Sequence, residues 1–172
     1  GYDLAVRIGQ LADSSLIARR IAPVRSAVLA SPAYLDARGR PTRPSDLNDH
    51  DLLVYANADG QWRFRVKGKW EYARGRARLR ANNGEMLREA AIAGLGVVIL
   101  PTFIASPAIR DGKLETLLAD YPLEENGLHV VMPPGRATTA RVRTLVDFLA
   151  ARFGPDPDWD PCWTDGAEAL QR

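Results

Sequence analysis

Chemistry needs nucleophiles, acids and bases, or metal ligands at workable spacings, and this chain offers few. His50 and His129 stand far apart, with no cysteine or second histidine at ligand spacing. Each reads as a structural or surface residue, and no metal site is expected. Ser14 and Ser15 lack a basic partner nearby, and no G-x-S-x-G elbow presents a serine nucleophile. The single cysteine, Cys162, lies in a Pro/Asp/Trp-rich stretch and reads as unreactive. Glu124-Glu125 is the nearest approach to an acid/base pair, but beside Asn126-Gly127 it reads as a solvated turn. Gly94-x-Gly96 follows a helix and precedes a strand, the reverse of a phosphate-binding fingerprint. No enzyme and no cofactor is expected.

What remains is a place to bind. The stretch from Arg80 to Pro101 reads as a strand end, a polar turn, a helix, a glycine stop and a buried strand. Asn82 or Asn83 caps the helix, because a short side-chain oxygen accepts from unpaired N–H groups of the first turn. Glu85 suits the positive end of the helix dipole. Met86, Leu87, Ala90, Ala91 and Ala93 form the apolar side, and Gly94 ends the helix in the left-handed region. Val97 to Leu100 is a continuous apolar run, as in a strand covered on both faces. A strand, helix and parallel strand of this kind hold ligands beyond the strand ends. Asn82, Asn83 and Gly84 then offer backbone N–H and amide groups to a carboxylate or other anion. The loops at Arg7 to Gly9 and Ala56 to Trp62 are the others that could reach the same mouth, although for Trp62 core packing is the stronger reading.

Around this unit, Leu4, Val6 and Ile8 alternate with Asp3, Ala5 and Arg7 as a first strand. Leu16 to Ala30 is extended, and Pro23 marks an edge, a bulge or a change of sheet. Pro32 to Ala37 is a short helix capped by Ser31, Pro44 to Leu47 a helical turn, and Leu52 to Tyr55 a strand. A period of two from Gln61 predicts a hairpin with Trp62, Phe64, Val66, Trp70 and Tyr72 on one side and Arg63, Arg65, Lys67 and Lys69 on the other. Arg74, Arg76, Arg78 and Arg80 read as the wet face of an antiparallel ribbon. They do not suggest a nucleic-acid surface, since no aromatic shares the basic face. Thr102 to Arg110 is helical, Leu114 to Leu118 extended or irregular, and Leu128 to Met132 a strand. Thr138 or Thr139 caps a last helix with a stripe of Val142, Leu145, Val146, Leu149 and Phe153. The stretch from Gly154 onward reads as a tail, flexible or docked only by its aromatics.

With 172 residues and 46% hydrophobic content the chain can bury a core of one domain or two small ones. A net charge of +2 does not by itself imply nucleic-acid binding. No apolar run approaches the ~20 residues that span a bilayer, so no membrane partner is expected. A strand at the start, with no earlier segments to flank it, leads to the expectation of a piece of a longer protein.

Five pieces in order resemble the effector-binding domain of LysR-type transcriptional regulators. They are Tyr2-Asp-Leu-Ala-Val-Arg-Ile-Gly9; Leu16 to Pro23 followed by Ala30-Ser-Pro-Ala-Tyr-Leu35; Asp46-Leu47 through His50 to Tyr55; Leu79 to Gly84 through Gly94-Leu-Gly-Val97 and Leu100-Pro101; and Arg141 to Leu149. The resemblance implies an α/β, periplasmic-binding-protein-like (type II) fold of two subdomains joined by two crossing strands. Residues 1–23 and 130–153 would form a first, incomplete subdomain, 24–129 a second, and 154–172 a tail. It also implies a small, anionic effector held in the cleft by Arg7, Ile8, Gly9, Asn57, Trp62, Asn82, Asn83, Gly84, Pro101 and Thr102. Further implications are DNA binding through an N-terminal winged helix-turn-helix not in this chain, a homo-dimer or homo-tetramer, and a cytoplasmic location. A solute-binding protein of a transport system shares the fold and is the alternative.

Overall fold

The computed structural model describes residues 2–9, 15–56, 61–135, 139–154, 157, 159 and 160. They fall into two compact units, one of residues 1–25 and 125–172, the other of 26–124. The chain therefore leaves the first unit after Arg25 and re-enters it at Glu125. The resemblance had placed these passages at 23/24 and 129/130.

Unit 2 is built on a mixed sheet of five strands. β3 (Ser26–Ala30), β4 (Asp51–Tyr55), β7 (Arg76–Ala81), β8 (Val97–Pro101) and β9 (Glu115–Leu117) lie in the order β7, β4, β8, β3, β9. β4 is parallel to both its neighbours, while β3 is antiparallel to β8 and β9. The strand-helix-strand unit is thus present, but β4 sits between its two strands. Helices α1 (Pro32–Arg38), α2 (Gly84–Ile92) and α3 (Thr102–Arg110) connect them, with a 3₁₀ turn at Pro44–Asp49. Leu29, Leu35, Leu47, Leu52, Phe64, Leu87 and Leu100 are fully buried.

α2 ends as its sequence predicts. Leu95 N–H donates to Ala90 O at 3.1 Å and Gly94 N–H to Ala91 O at 3.0 Å, with Gly94 at φ 77°. These are the two bonds of a Schellman stop. Its apolar side is narrower than expected. Gly84, Leu87 and Ala91 are buried at i, i+3 and i+7, whereas Met86 and Ala93 face solvent.

The hairpin of β5 (Trp62–Val66) and β6 (Lys69–Ala73) overturns the predicted division of faces. Lys67 and Gly68 form a two-residue loop, both with positive φ (48° and 80°), as in the turns whose twist suits a hairpin. An even loop puts Val66 opposite Lys69 and Arg65 opposite Trp70. Trp70 and Tyr72 therefore share the face of Arg63 and Arg65. The Arg63 guanidinium lies 5.0 Å from the Trp70 ring centre and 5.8 Å from that of Tyr72, and Arg65 lies 5.7 Å from Trp70. Aromatics do share this basic face, stacked against its guanidinium groups. The arginines of β7 correct a second expectation, for they sit on a parallel edge strand rather than an antiparallel ribbon. Arg78 pairs with Asp51 at 3.2 Å.

Unit 1 has a three-stranded antiparallel sheet, β1 (Ala5–Gly9), β10 (Asn126–Met132) and β2 (Ile17–Val24), with β10 in the middle. Pro23 lies on the edge strand β2, and the change of sheet follows at Arg25, so the positions open to proline are the ones it takes. α4 (Ala140–Phe153) packs Val142 and Val146 on Ile21, Val130 and Met132. Leu145 is 44% exposed and falls outside the predicted stripe. Thr139 holds the cap position without a side-chain capping bond, and Thr138 lies outside the described residues.

Glu124 and Glu125 do not make a solvated turn with Asn126-Gly127, which belong to β10. They straddle the second passage between units. Glu124 accepts from Arg63 in unit 2 at 2.9 Å, and Glu125 pairs with Arg20 in unit 1.

Candidate functional site

Because β4, β7 and β8 run in parallel, their carboxyl ends at Tyr55, Ala81 and Pro101 reach one edge of the unit 2 sheet. α2 and α3 begin there, so two helix N-termini bring their unpaired N–H groups and positive dipole ends to one place. The Asn83 side-chain oxygen accepts from Glu85 N–H at 2.8 Å and from Met86 N–H at 3.0 Å. That resolves the choice of cap in favour of Asn83. Asn82 and Asn83 are both exposed, and Asn82 makes no cap bond.

Gly84 is buried for a specific reason. A Cβ there would overlap the Tyr55 hydroxyl and Ile104 Cδ1. The close approach of the helix start to Tyr55 is possible only for glycine. Burial pushes the Tyr55 phenol above its usual range, so at neutral pH the hydroxyl keeps its proton and can donate. Tyr55 was not among the residues singled out from sequence, and no local pattern marks it. It becomes part of the site because β4 ends against α2.

Of the expected residues, the structure brings Asn82, Asn83, Gly84, Pro101 and Thr102 to this edge. Thr102 is itself buried, and its carbonyl accepts from the Ser106 hydroxyl at 2.7 Å. Trp62 is different. It is 7% exposed and packed in the core with Phe64 and Ala73, so its indole is committed to packing rather than standing as an open wall. Asn57 lies outside the described residues. Arg7, Ile8 and Gly9 are not a loop after the first strand. They are its last three residues, opposite His129, Leu128 and Gly127. Arg7 is exposed at that strand end.

A polar cluster below the amino end of the same sheet is structural. Asp51 N–H donates to the Tyr34 hydroxyl at 3.1 Å, and that hydroxyl lies 3.1 Å from His50 Nδ1. The Tyr34 oxygen thus accepts from the backbone, and the imidazole tautomer sets which partner donates in its bond to His50. Burial lowers the His50 pKa and nearby Arg38 lowers it further, against the opposite pull of Asp49, Asp46 and Asp51. Among the described residues there is no group of three or more metal-ligating side chains, and no helix long and apolar enough to cross a membrane.

Residues 1–154 match the family model described as the LysR substrate binding domain. A transcriptional regulator of the HTH type from Haemophilus influenzae is 38% identical over 153 residues, covering 83% of this chain and 50% of the relative. The full-length structure of AphB, a virulence activator of Vibrio cholerae and a member of the same regulator family, aligns with a TM-score of 0.74 at 28% identity, over 87% of this chain and 51% of that one. The regulatory domain of CrgA from Neisseria meningitidis aligns at 0.72 and 32% identity, over 87% and 74%. The chain thus spans about half the length of the curated relatives it matches. These likenesses establish the expected α/β, periplasmic-binding-protein-like fold and favour a regulator over a transport protein.

Proposed function

Because the chain belongs to the LysR substrate-binding domain family, we propose that it senses a small carboxylate-bearing effector for a DNA-binding transcription factor of the cytoplasm. The observation that carries the ligand class is the meeting of two helix N-termini, Asn82, Asn83 and the Tyr55 hydroxyl at one sheet edge. Backbone N–H groups and a phenol that stays protonated suit an anion. The start of α3 after Pro101 would add backbone N–H donors beside those of α2. Chain ahead of Gly1 would complete unit 1, carry the DNA-binding helices, and form a dimer or tetramer. An effector that binds one arrangement of the two units more tightly shifts their population and, through the linked subunits, the fit to DNA.

Titration calorimetry of the chain against a panel of small mono- and dicarboxylates tests this. Binding is expected from at least one acid, and Asn82→Trp should abolish it without lowering the melting temperature, since Asn82 is exposed and does not cap α2. Binding that survives both Asn82→Trp and Tyr55→Phe would place the effector elsewhere.

A further inference from the structure

Arg25 is the one residue between β2 and β3, strands that belong to different sheets and different units. A single non-strand residue at such a passage is where a change of φ and ψ moves one body against another. Its side chain is not left to solvent. Arg25 Nη1 donates at 3.0 Å to Oδ2 of Asp160, whose carboxylate is fully buried. Asp160 lies beyond residue 154, where the match to the family model stops. Pro157 is buried too, Asp160 N–H donates to its carbonyl at 3.1 Å, and Trp159 packs on Phe153 with ring centres 5.4 Å apart. Pro157, Trp159 and Asp160 therefore dock on the rest of unit 1 by charge as well as by an aromatic.

The two ion pairs at the second passage include no fully buried group. Arg63 with Glu124 has side chains 37% and 33% exposed and Arg20 with Glu125 53% and 50%, where water and salt weaken the attraction. A buried carboxylate has no such alternative. Removing Arg25 takes a charged partner from a carboxylate held away from water, so the pair holds its geometry more strictly than an exposed one.

We propose that the stretch holding Pro157, Trp159 and Asp160 is a strap on the first passage, with Asp160 as a positioning residue that restrains Arg25 and so limits how far the two units move against each other. The strap is independent of any ligand; its bearing on effector response, by narrowing the range of arrangements an effector selects from, rests on the reading above.

The test is ligand-free. Spin labels at Arg110→Cys in unit 2 and Arg143→Cys in unit 1, both exposed, in a Cys162→Ser background, report the distribution of distances between units. Asp160→Asn and removal of residues 155–172 should each widen the distribution, with amide exchange around Arg25 rising about tenfold or more. Arg25→Lys, which keeps the charge, should restore most of the narrow distribution relative to Arg25→Ala. A distribution that stays unchanged while amide exchange shows the tail released would overturn the proposal. A lower melting temperature with an unchanged distribution would also overturn it, leaving the tail a packing role only. Should Asp160→Asn fail to fold, the truncated chain carries the same test.

Discussion

The two units bury apolar side chains to very different degrees, although both pair a sheet with helices. In unit 2, Leu52, Phe64, Leu87 and Leu100 are 0% exposed. In unit 1, Val6 and Ile8 stand opposite Val130 and Leu128, hence on the same face of the sheet, and yet are each 51% exposed. Phe148 on α4 is 62% exposed. The difference is one of layers. Among the described residues, three helices and a hairpin pack around five strands in unit 2, whereas a single helix covers only part of three strands in unit 1. Apolar content alone does not make a closed core; the number of covering elements does.

The largest effect should come from the closed core. Phe64→Ala removes an aromatic with no route to relaxation and should cost about 3–5 kcal/mol, read by denaturant unfolding. Phe148→Ser in unit 1 should change stability by less than about 0.5 kcal/mol in this chain. The contrast would be sharpened if the same Phe148→Ser change were costly in a chain extended ahead of Gly1. Comparable losses for the two substitutions in this chain would break it.

Gly84→Ala should cost roughly 1–3 kcal/mol through overlap with Tyr55 and Ile104, and Tyr55→Phe in the same background should recover part of it. No recovery would mean the close approach to Tyr55 is not the cause. Asn83→Ala should cost about 1 kcal/mol of unit 2 stability by leaving Glu85 and Met86 N–H without the cap, seen as faster amide exchange along α2 but not along β1.

The smallest effect concerns pH. His50 is buried neutral with its pKa lowered, so the unfolded chain takes up a proton at higher pH than the folded one does. Its contribution is present above the unfolded value of about 6.5 and is lost as pH falls from there toward the lower folded value. Unfolding free energy measured between pH 7 and 5 should fall more steeply for the native chain than for His50→Gln. Equal slopes would dismiss His50 as the cause.

Much of this fold could be read along the chain, because it depends on neighbours in sequence. Ser31 before Pro32, Asn83 before Gly84, and Gly94 after α2 mark helix ends through bonds within a few residues. Element types from β1 to α4 follow from period and from apolar runs for the same reason. The candidate site was half legible. Asn82 to Gly84 and Pro101-Thr102 do lie together at one sheet edge, as a helix start and a strand end are local features. Tyr55 was missed because its role needs β4 to end against α2. For Trp62 the sequence left core and mouth open, because an indole in either place follows the same alternating pattern, and the fold packs it in the core.

By itself, then, the sequence determined the order and type of the elements, the ends of the capped helices, and the family to which the chain belongs, since these rest on residues close together or in fixed order. Only the tertiary structure decided which side chains share a surface. The two-residue turn at Lys67-Gly68 moved Trp70 and Tyr72 onto the arginine face, because strand parity is carried across a turn by its length. Packing around the unit boundary divided Glu124 and Glu125 between two partners and joined Arg25 to Asp160, residues 135 positions apart. No periodicity encodes a pairing at that separation; it exists only once the chain has returned to its first unit.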